Sequence, residues 1–291
     1  MRYLDAATAR MALGMGDAIA AMERAFGDER EVPLRNLLGP SLFMPGRVGT
    51  DTGVKVVSTV PGMPFGIVAI FDADGACRGL VDGPTLTAIR TAAGAGLATR
   101  LLARPDARTM AMLGSGAMAF DQVVAVKEVR PILDVLVWSR DPDHAAALAE
   151  RVGGQVADDA SEAVAAADVV SSATPSRLPL FAPGAVRPGT HLNAVGAFTP
   201  QMCEVPAAVV RLARVFVDDL DASAAEAGDL LQASRTPDGT LGDLLAGRMA
   251  GRTDAHQVTF FKSVGIASQD VAAGAAALAA AERLGLGVVL G

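Results

Sequence analysis

Two cysteines, Cys77 and Cys203, are all the thiols in 291 residues, and they form no CxxC pair. A disulfide framework is therefore not expected, and two inert thiols in a reducing cytoplasm are. Histidine is almost as scarce. His144, His191 and His256 stand far apart, without an HExxH or other ligand spacing, so no metal site is expected. Basic runs are missing too. Lys and Arg number 25 against 32 Asp and Glu, a net charge of −7, and without a concentrated basic face nucleic acid is not an expected partner. The chain is 51% hydrophobic, but much of that is alanine. Its longest apolar run near the C-terminus, 271–281, lies between Asp270 and Glu282 and falls short of the roughly 20 residues a bilayer requires. It reads as a buried helix, and no membrane partner is expected. The N-terminus is charged early and has no apolar core segment, which predicts no secretory leader. Internal repeats and low-complexity linkers are also absent.

What is present has two textures. Residues 4–26 carry Ala, Met and Leu at three- and four-residue spacing, which predicts one amphipathic helix. Strand-like runs follow at 54–60 and 66–71, with turns at 61–64 and 72–75, forming a β-meander. Asp82-Gly83-Pro84 leads into a helix over about 87–103, ended by Pro105. From Arg108 the rhythm becomes strand–helix alternation. Strands are predicted at 109–113, 133–138, 168–172, 192–195 and 215–217, and helices at 114–128 and 144–152. That pattern implies parallel βαβ units in an α/β fold. The last helix, from Ser268, is expected to pack back on the first domain.

The run MAMLGSGAMA at 110–119 is an apolar strand followed by GxGxxA. In such a turn Gly114 permits the sharp bend, Gly116 lets a pyrophosphate approach the backbone, and the small third residue lets the helix pack on the strand. The pyrophosphate then meets free N–H groups at a helix N-terminus. Ser115, Ala117 and Met118 belong to the same loop. The flanking strands are what raise this motif above a structural glycine turn. The second strand ends at Trp138-Ser139-Arg140-Asp141. A hydroxyl and a guanidinium where an acidic residue usually meets the ribose suit a 2′-phosphate, so NADP is favoured slightly over NAD. The plainer reading of the same residues is a solvated Arg140 and an N-capping Asp141.

Several stretches together resemble the ornithine cyclodeaminase/mu-crystallin family over nearly the whole chain: GVKVV at 53–57, LTAIRTAA at 86–93, the glycine turn, AADVV at 166–170, PGTHLNAVG at 188–196, EAGDL at 226–230 and FFKSVG at 260–265. The resemblance implies a homodimer with two domains. A discontinuous α+β substrate-binding and dimerisation domain would span 1–105 and 268–291, and a Rossmann domain 106–267. It also implies a nicotinamide cofactor, contacted by Thr174, Val195 and Ser263 besides the glycine turn, and a small amino- or imino-acid substrate. Arg35, Lys55 and Arg90 match positions for substrate contact, Arg90 also for the cofactor. Their chemistry agrees, since a guanidinium fork and an ammonium hold a carboxylate well; the plainer readings are Lys55 on an exposed sheet face and Arg90 in an internal salt bridge.

Three departures from the family pattern bear on the reaction. Phe198 stands where relatives that deaminate carry an aspartate after the NAVG strand. The connection at 61–66 is short, and MCEV at 202–205 replaces a more charged run. Deamination must activate water and manage protons, which calls for a placed acid or base. Reduction of a preformed iminium requires less, so the expected function is NAD(P)H-dependent reduction of an imino acid. Asp82 could supply an acid or simply form a turn before Gly83-Pro84. The alternatives left open are an amino-acid deaminase with a relocated acid and a catalytically silent dinucleotide- or ligand-binding protein.

Overall fold

The structure, a computed structural model, describes residues 1–60 and 65–291; the turn expected at 61–64 lies outside them. In chain order the elements begin with β1 (Arg2–Leu4), α1 (Ala6–Ala12), α2 (Met15–Phe26), β2 (Arg30–Glu31), β3 (Asn36–Leu38), β4 (Ser41–Val48), β5 (Asp51–Ser58), β6 (Gly66–Phe71), β7 (Cys77–Asp82) and α3 (Gly83–Leu102). There follow β8 (Thr109–Leu113), α4 (Ala119–Val129), β9 (Asp134–Trp138), α5 (Pro142–Val152), β10 (Gln155–Val156), α6 (Ala160–Ala166), β11 (Val169–Ser172) and β12 (His191–Ala194). The last are α7 (Ala207–Leu212), β13 (Arg214–Val217), α8 (Leu220–Glu226), α9 (Gly228–Ala233), β14 (Gly239–Thr240), α10 (Leu241–Leu245), β15 (Thr259–Lys262), α11 (Ala267–Leu284) and β16 (Val288–Val289). No helix among the described residues is long and apolar enough to cross a membrane.

The chain forms two compact units, Met1–Ala93 with Ile266–Gly291, and Gly94–Gly265. The first crossing is made inside α3, not in the Pro105 turn where the end of a helical pattern suggests it. The single helix expected over 4–26 is two, because Leu13 and Gly14 both take extended backbone between α1 and α2.

In the first unit the sheet order is β16-β1-β7-β6-β5-β4-β2, with β3 also on β4. Strands β4 to β7 are the antiparallel meander. Cross-strand partners share a face, so Met44, Lys55, Val68 and Val81 line one side of the sheet, and all four are buried. The alanine-rich α11 lies on this side. It comes so close that a Cβ on Gly46 would stand 2.8 Å from Ala267 Cβ, and one on Gly274 2.9 Å from Ile70 Cδ1. Small residues on both elements therefore set the helix–sheet distance.

In the second unit eight parallel strands run in the order β10-β9-β8-β11-β12-β15-β13-β14. Separate apolar clusters fill the space around the sheet, one holding Leu192, Val215 and Phe260, the other Met110, Val123 and Val135. Strand order proceeds outward from β8 in both directions, which makes the β8/β11 boundary the topological switch point where such sheets bind ligands. β15, between β12 and β13, was not anticipated as a strand: its run TFFK ends on a buried lysine, Lys262, whose charge is answered by Asp229 from a distant segment. His191 is structural. It is bonded to Thr259 Oγ1 at 3.0 Å and Asn193 Oδ1 at 3.1 Å, and burial, with Arg252 nearby, pushes it down to about 3.

Candidate functional site

Two groups of residues with unusual chemistry stand out, one in each unit. In the first, Lys55 projects from β5 onto the α11 side, where its Nζ lies 3.0 Å from Asp270 Oδ2. Arg90, from the middle of α3, donates from Nε to Asp270 Oδ1 at 3.0 Å and from Nη1 to Gln269 Oε1 at 3.0 Å. Both cations are only 4% exposed. Burial pushes Lys55 down to about 8, against the pull of Asp270 and with further push from Arg90 and Arg35. Burial by itself would raise the Asp270 carboxyl, but Arg90 and Lys55 outweigh it and hold it below the usual carboxylate range. Arg35, in the segment between β2 and β3, is partly exposed and close enough to act on Lys55. The three cations singled out in the sequence thus come together.

Two buried cations, Lys55 and Arg90, against one buried carboxylate, Asp270, leave an excess of positive charge. Buried ion pairs contribute little net stability, because desolvation offsets their attraction. A buried cluster with surplus charge is therefore better explained by an anionic ligand than by folding. Asp82 is placed apart from it. Its Oδ1 accepts from Thr85 N at 2.9 Å, capping α3, and its register partner is Ile67, on the sheet face opposite Lys55. Asp270 and Gln269 were not singled out in the sequence. The available signal was a carboxamide and a carboxylate opening a helix that is otherwise small and apolar.

The second group lies at the C-terminal edge of the parallel sheet. Gly114 has φ +105, and a Cβ there would stand 2.8 Å from Thr174 Cγ2, so the bend after β8 requires glycine. That bend also delays the helix. Residues 114–118 form a loop and α4 opens at Ala119, not at Gly114. Gly116 is exposed, and a Cβ on it would meet no atom of the described residues within 4 Å, its chain neighbours aside: among these residues the space above the loop is open, as a pyrophosphate requires. Ser115 Oγ and Ser139 Oγ are hydrogen-bonded at 2.8 Å, joining the ends of β8 and β9. Asp141 Oδ1 accepts from Asp143 N and His144 N as the N-cap of α5, and Arg140 is exposed beside it. Thr174, Val195 and Ser263 follow the ends of β11, β12 and β15, on the same edge as the glycine turn. These residues fit a dinucleotide across the switch point.

Beneath that edge lies a buried polar network that sequence reasoning missed. Glu204 Oε1 accepts from Thr174 N at 2.7 Å and Thr174 Oγ1 at 2.9 Å. Its Oε2 accepts from Gly196 N at 2.8 Å and Ala197 N at 3.1 Å. One carboxylate therefore ties together the loops leaving β11 and β12. Burial pushes Glu204 up, Lys262 draws it down and Asp229 adds to the rise. Lys262 Nζ lies 2.9 Å from Asp229 Oδ2, and Asp229 Oδ1 accepts from Glu204 N and Val205 N. Asp218 does similar work after β15, accepting from Ser263 Oγ, Val264 N and Gly265 N. Phe198, just beyond the Glu204 clamp, is 49% exposed.

The chain is similar to known proteins over most of its length. Over 264 residues, 82% of this chain and 81% of the relative, the sequence is 34% identical to a Delta(1)-pyrroline-2-carboxylate reductase of Bacillus cereus. It is 34% identical over 209 residues to the ketimine reductase mu-crystallin of Mus musculus, covering 71% of this chain and 66% of the relative. The fold matches that of the Thermococcus litoralis Delta(1)-pyrroline-2-carboxylate reductase in complex with NADH and L-proline, with a TM-score of 0.93, 29% identity and all of both chains covered. The model of the ornithine cyclodeaminase/mu-crystallin family matches residues 29–281. With a glycine turn at the switch point of one unit and a buried cation cluster in the other, the chain belongs to the ornithine cyclodeaminase/mu-crystallin family.

Proposed function

We propose that this protein is an NAD(P)H-dependent oxidoreductase that reduces the C=N bond of a small imino acid, a cyclic ketimine carboxylate of the pyrroline-2-carboxylate kind. The observation that carries this reading is the buried surplus of positive charge at Lys55 and Arg90, with Arg35 close to Lys55. It suits a substrate carboxylate, and similar proteins are named Delta(1)-pyrroline-2-carboxylate reductase and ketimine reductase. The nicotinamide supplies the hydride when bound. Arg90 and Lys55 hold and orient the carboxylate, so that the C=N carbon is presented in one pose. Lys55, with its midpoint at about 8, is protonated at neutral pH, which keeps its charge for the anion and leaves a proton that it can share with the substrate nitrogen. Gly114, Ser115, Gly116, Ala117 and Met118 cradle the pyrophosphate. Thr174, Val195 and Ser263 complete the cofactor edge.

Phe198 supports reduction over deamination. An apolar ring where deaminating relatives carry an aspartate offers no proton relay and no base to activate water. The test is a panel of cyclic ketimine acids and amino acids, followed at the NAD(P)H absorbance and by ammonia release. Reduction of a cyclic ketimine acid is expected, with little or no ammonia from ornithine or alanine. Phe198→Asp is expected to lower the ratio of reduction to deamination by about 100-fold, the smaller end of what a placed acid or base contributes. Robust ammonia release from the unaltered protein would overturn the proposal. Tight dinucleotide binding without any turnover would assign the chain to the binding proteins instead.

The cofactor preference follows from the end of β9. Asp141 is committed to capping α5, so Ser139 and the exposed Arg140 are left to meet a 2′-phosphate. NADP(H) is expected to bind more tightly than NAD(H), and Arg140→Ala to erase most of that margin, a loss of about 10-fold for one charge-assisted contact. Trp138, the only tryptophan, ends β9, and energy transfer from it to reduced dinucleotide measures both affinities. A preference for NAD(H) untouched by Arg140→Ala would contradict this assignment.

The sheet face opposite α11 carries Phe43, Val54, Val56 and Ile67 by register, and Leu38 and Phe65 nearby are 71% and 70% exposed. A second copy of the chain covering this face, as a homodimer in the cytoplasm, completes the proposal.

A further inference from the structure

We infer that Asp270 and Gln269 are the positioning residues of the carboxylate site: they fix the spacing and charge of Lys55 and Arg90 from the first turn of α11. The inference rests on the proposed function for its effect on turnover, but not for its effect on Lys55 itself.

The geometry is that of one carboxylate holding two cations. Oδ1 of Asp270 takes Arg90 Nε and Oδ2 takes Lys55 Nζ, each at 3.0 Å. Two cations held at the bite of one carboxylate are spaced so that a second carboxylate, the substrate's, can bridge them in turn. Gln269 fixes the guanidinium plane. Its Oε1 accepts from Arg90 Nη1 at 3.0 Å and from Ile266 N at 2.9 Å, so the amide is itself held by the backbone that enters α11. Neither residue is exposed enough to meet a ligand freely, Asp270 being 1% and Gln269 0% exposed. They act through the cations.

The charges around Lys55 assign Asp270 the same role. The groups that act on Lys55 are Asp270 on α11, Arg90 on α3 and Arg35 in the segment between β2 and β3. Of these only Asp270 favours the ammonium; burial and both guanidinium groups favour the neutral amine. Without Asp270, Lys55 and Arg90 would share one buried place with no carboxylate between them, and Lys55, as the more easily deprotonated, would give up its charge. A neutral Lys55 no longer attracts an anion. Asp270 therefore keeps the site positive, although it is itself negative.

The experiment uses Asp270→Asn, which keeps the shape and removes the charge. The chain has three lysines, Lys55, Lys127 and Lys262, so ¹⁵N-lysine NMR of the whole protein can follow the Lys55 ammonium without substrate. In the unaltered protein its midpoint is expected near 8. In Asp270→Asn it is expected to fall by about one pH unit or more, the ordinary effect of losing an opposite charge at contact distance. With a cyclic ketimine acid, KM at pH 8 is expected to rise about 10-fold or more, the size of one lost charged contact. The alkaline limb of kcat/KM should move to lower pH, while dinucleotide affinity by Trp138 energy transfer stays unchanged. An unmoved Lys55 midpoint overturns the inference. If no imine is turned over at all, the proposed function fails, while the NMR titration still judges Asp270. Should Asp270→Asn not fold, Asp270→Glu takes its place. The charge remains on a longer arm, so the Lys55 midpoint should stay near 8 while KM rises as the cations are displaced. Wild-type KM in that variant would overturn the inference equally.

Discussion

Gly116→Val is expected to weaken dinucleotide binding by about 100-fold or more, some 2.7 kcal/mol, with Tm changed by no more than about 2 °C. The two effects separate because of where Gly116 lies. Its φ is not in the left-handed region, so valine meets no backbone strain. The position is exposed, and among the described residues, its chain neighbours aside, no atom lies within 4 Å of the new Cβ. The isopropyl group would project only into the space reserved for the pyrophosphate. Gly114→Ala is the contrasting control. There φ is +105 and the Cβ would lie 2.8 Å from Thr174 Cγ2, so the fold itself should suffer. Calorimetric titration of the folded valine variant with NADP(H) decides the matter. Unchanged affinity would remove the glycine turn from the cofactor site.

Glu204→Ala is expected to destabilise the protein by about 4 kcal/mol or more, because three backbone N–H groups and one hydroxyl lose their acceptor in a buried place, each costing about 1–3 kcal/mol if left unpaired. Tm should fall by about 10 °C or more for a chain of this size. Glu204→Gln preserves volume but replaces one oxygen by an amide nitrogen. That nitrogen would face two donors, whichever way the amide is turned, so roughly half the penalty remains. Both variants should also raise KM for dinucleotide, since Thr174 and the Gly196–Ala197 loop lose their common anchor. Urea denaturation with dinucleotide titration in parallel reads both effects. An alanine variant as stable as the parent would show that the four contacts are not what holds these loops.

The fold was legible wherever a segment carried its own period or punctuation. The strand–glycine–helix run at 109–129 identifies itself because a tight turn, an apolar strand and a capped helix occur in adjacent residues. The meander over β5 and β6 is readable from β-branched runs and turns. The 4–26 helix was overextended because propensity alone does not reveal that Leu13 and Gly14 leave helical backbone. Short β15 and the start of α4 were set by neighbouring strands and by the φ of Gly114, neither of which leaves a periodic trace.

The site divides in the same way. Lys55 inside an apolar strand and Arg90 inside a small-residue helix are visible from local sequence, because a charge among apolar neighbours is costly unless something far away answers it. What answers it is not visible locally. Asp270 lies 180 residues from Arg90 in the chain, and Glu204 reaches Thr174 across 30 residues. By itself the sequence determined the family motifs, the glycine turn and the cations that require partners. Only the tertiary structure decided that Asp270 and Gln269 are those partners, that Asp82 lies on the other face of the sheet, and that Glu204 clamps the cofactor edge. The reason is physical: a charge records locally that it must be compensated, whereas the identity of the compensating group depends on which distant segments the packed fold brings within 3 Å.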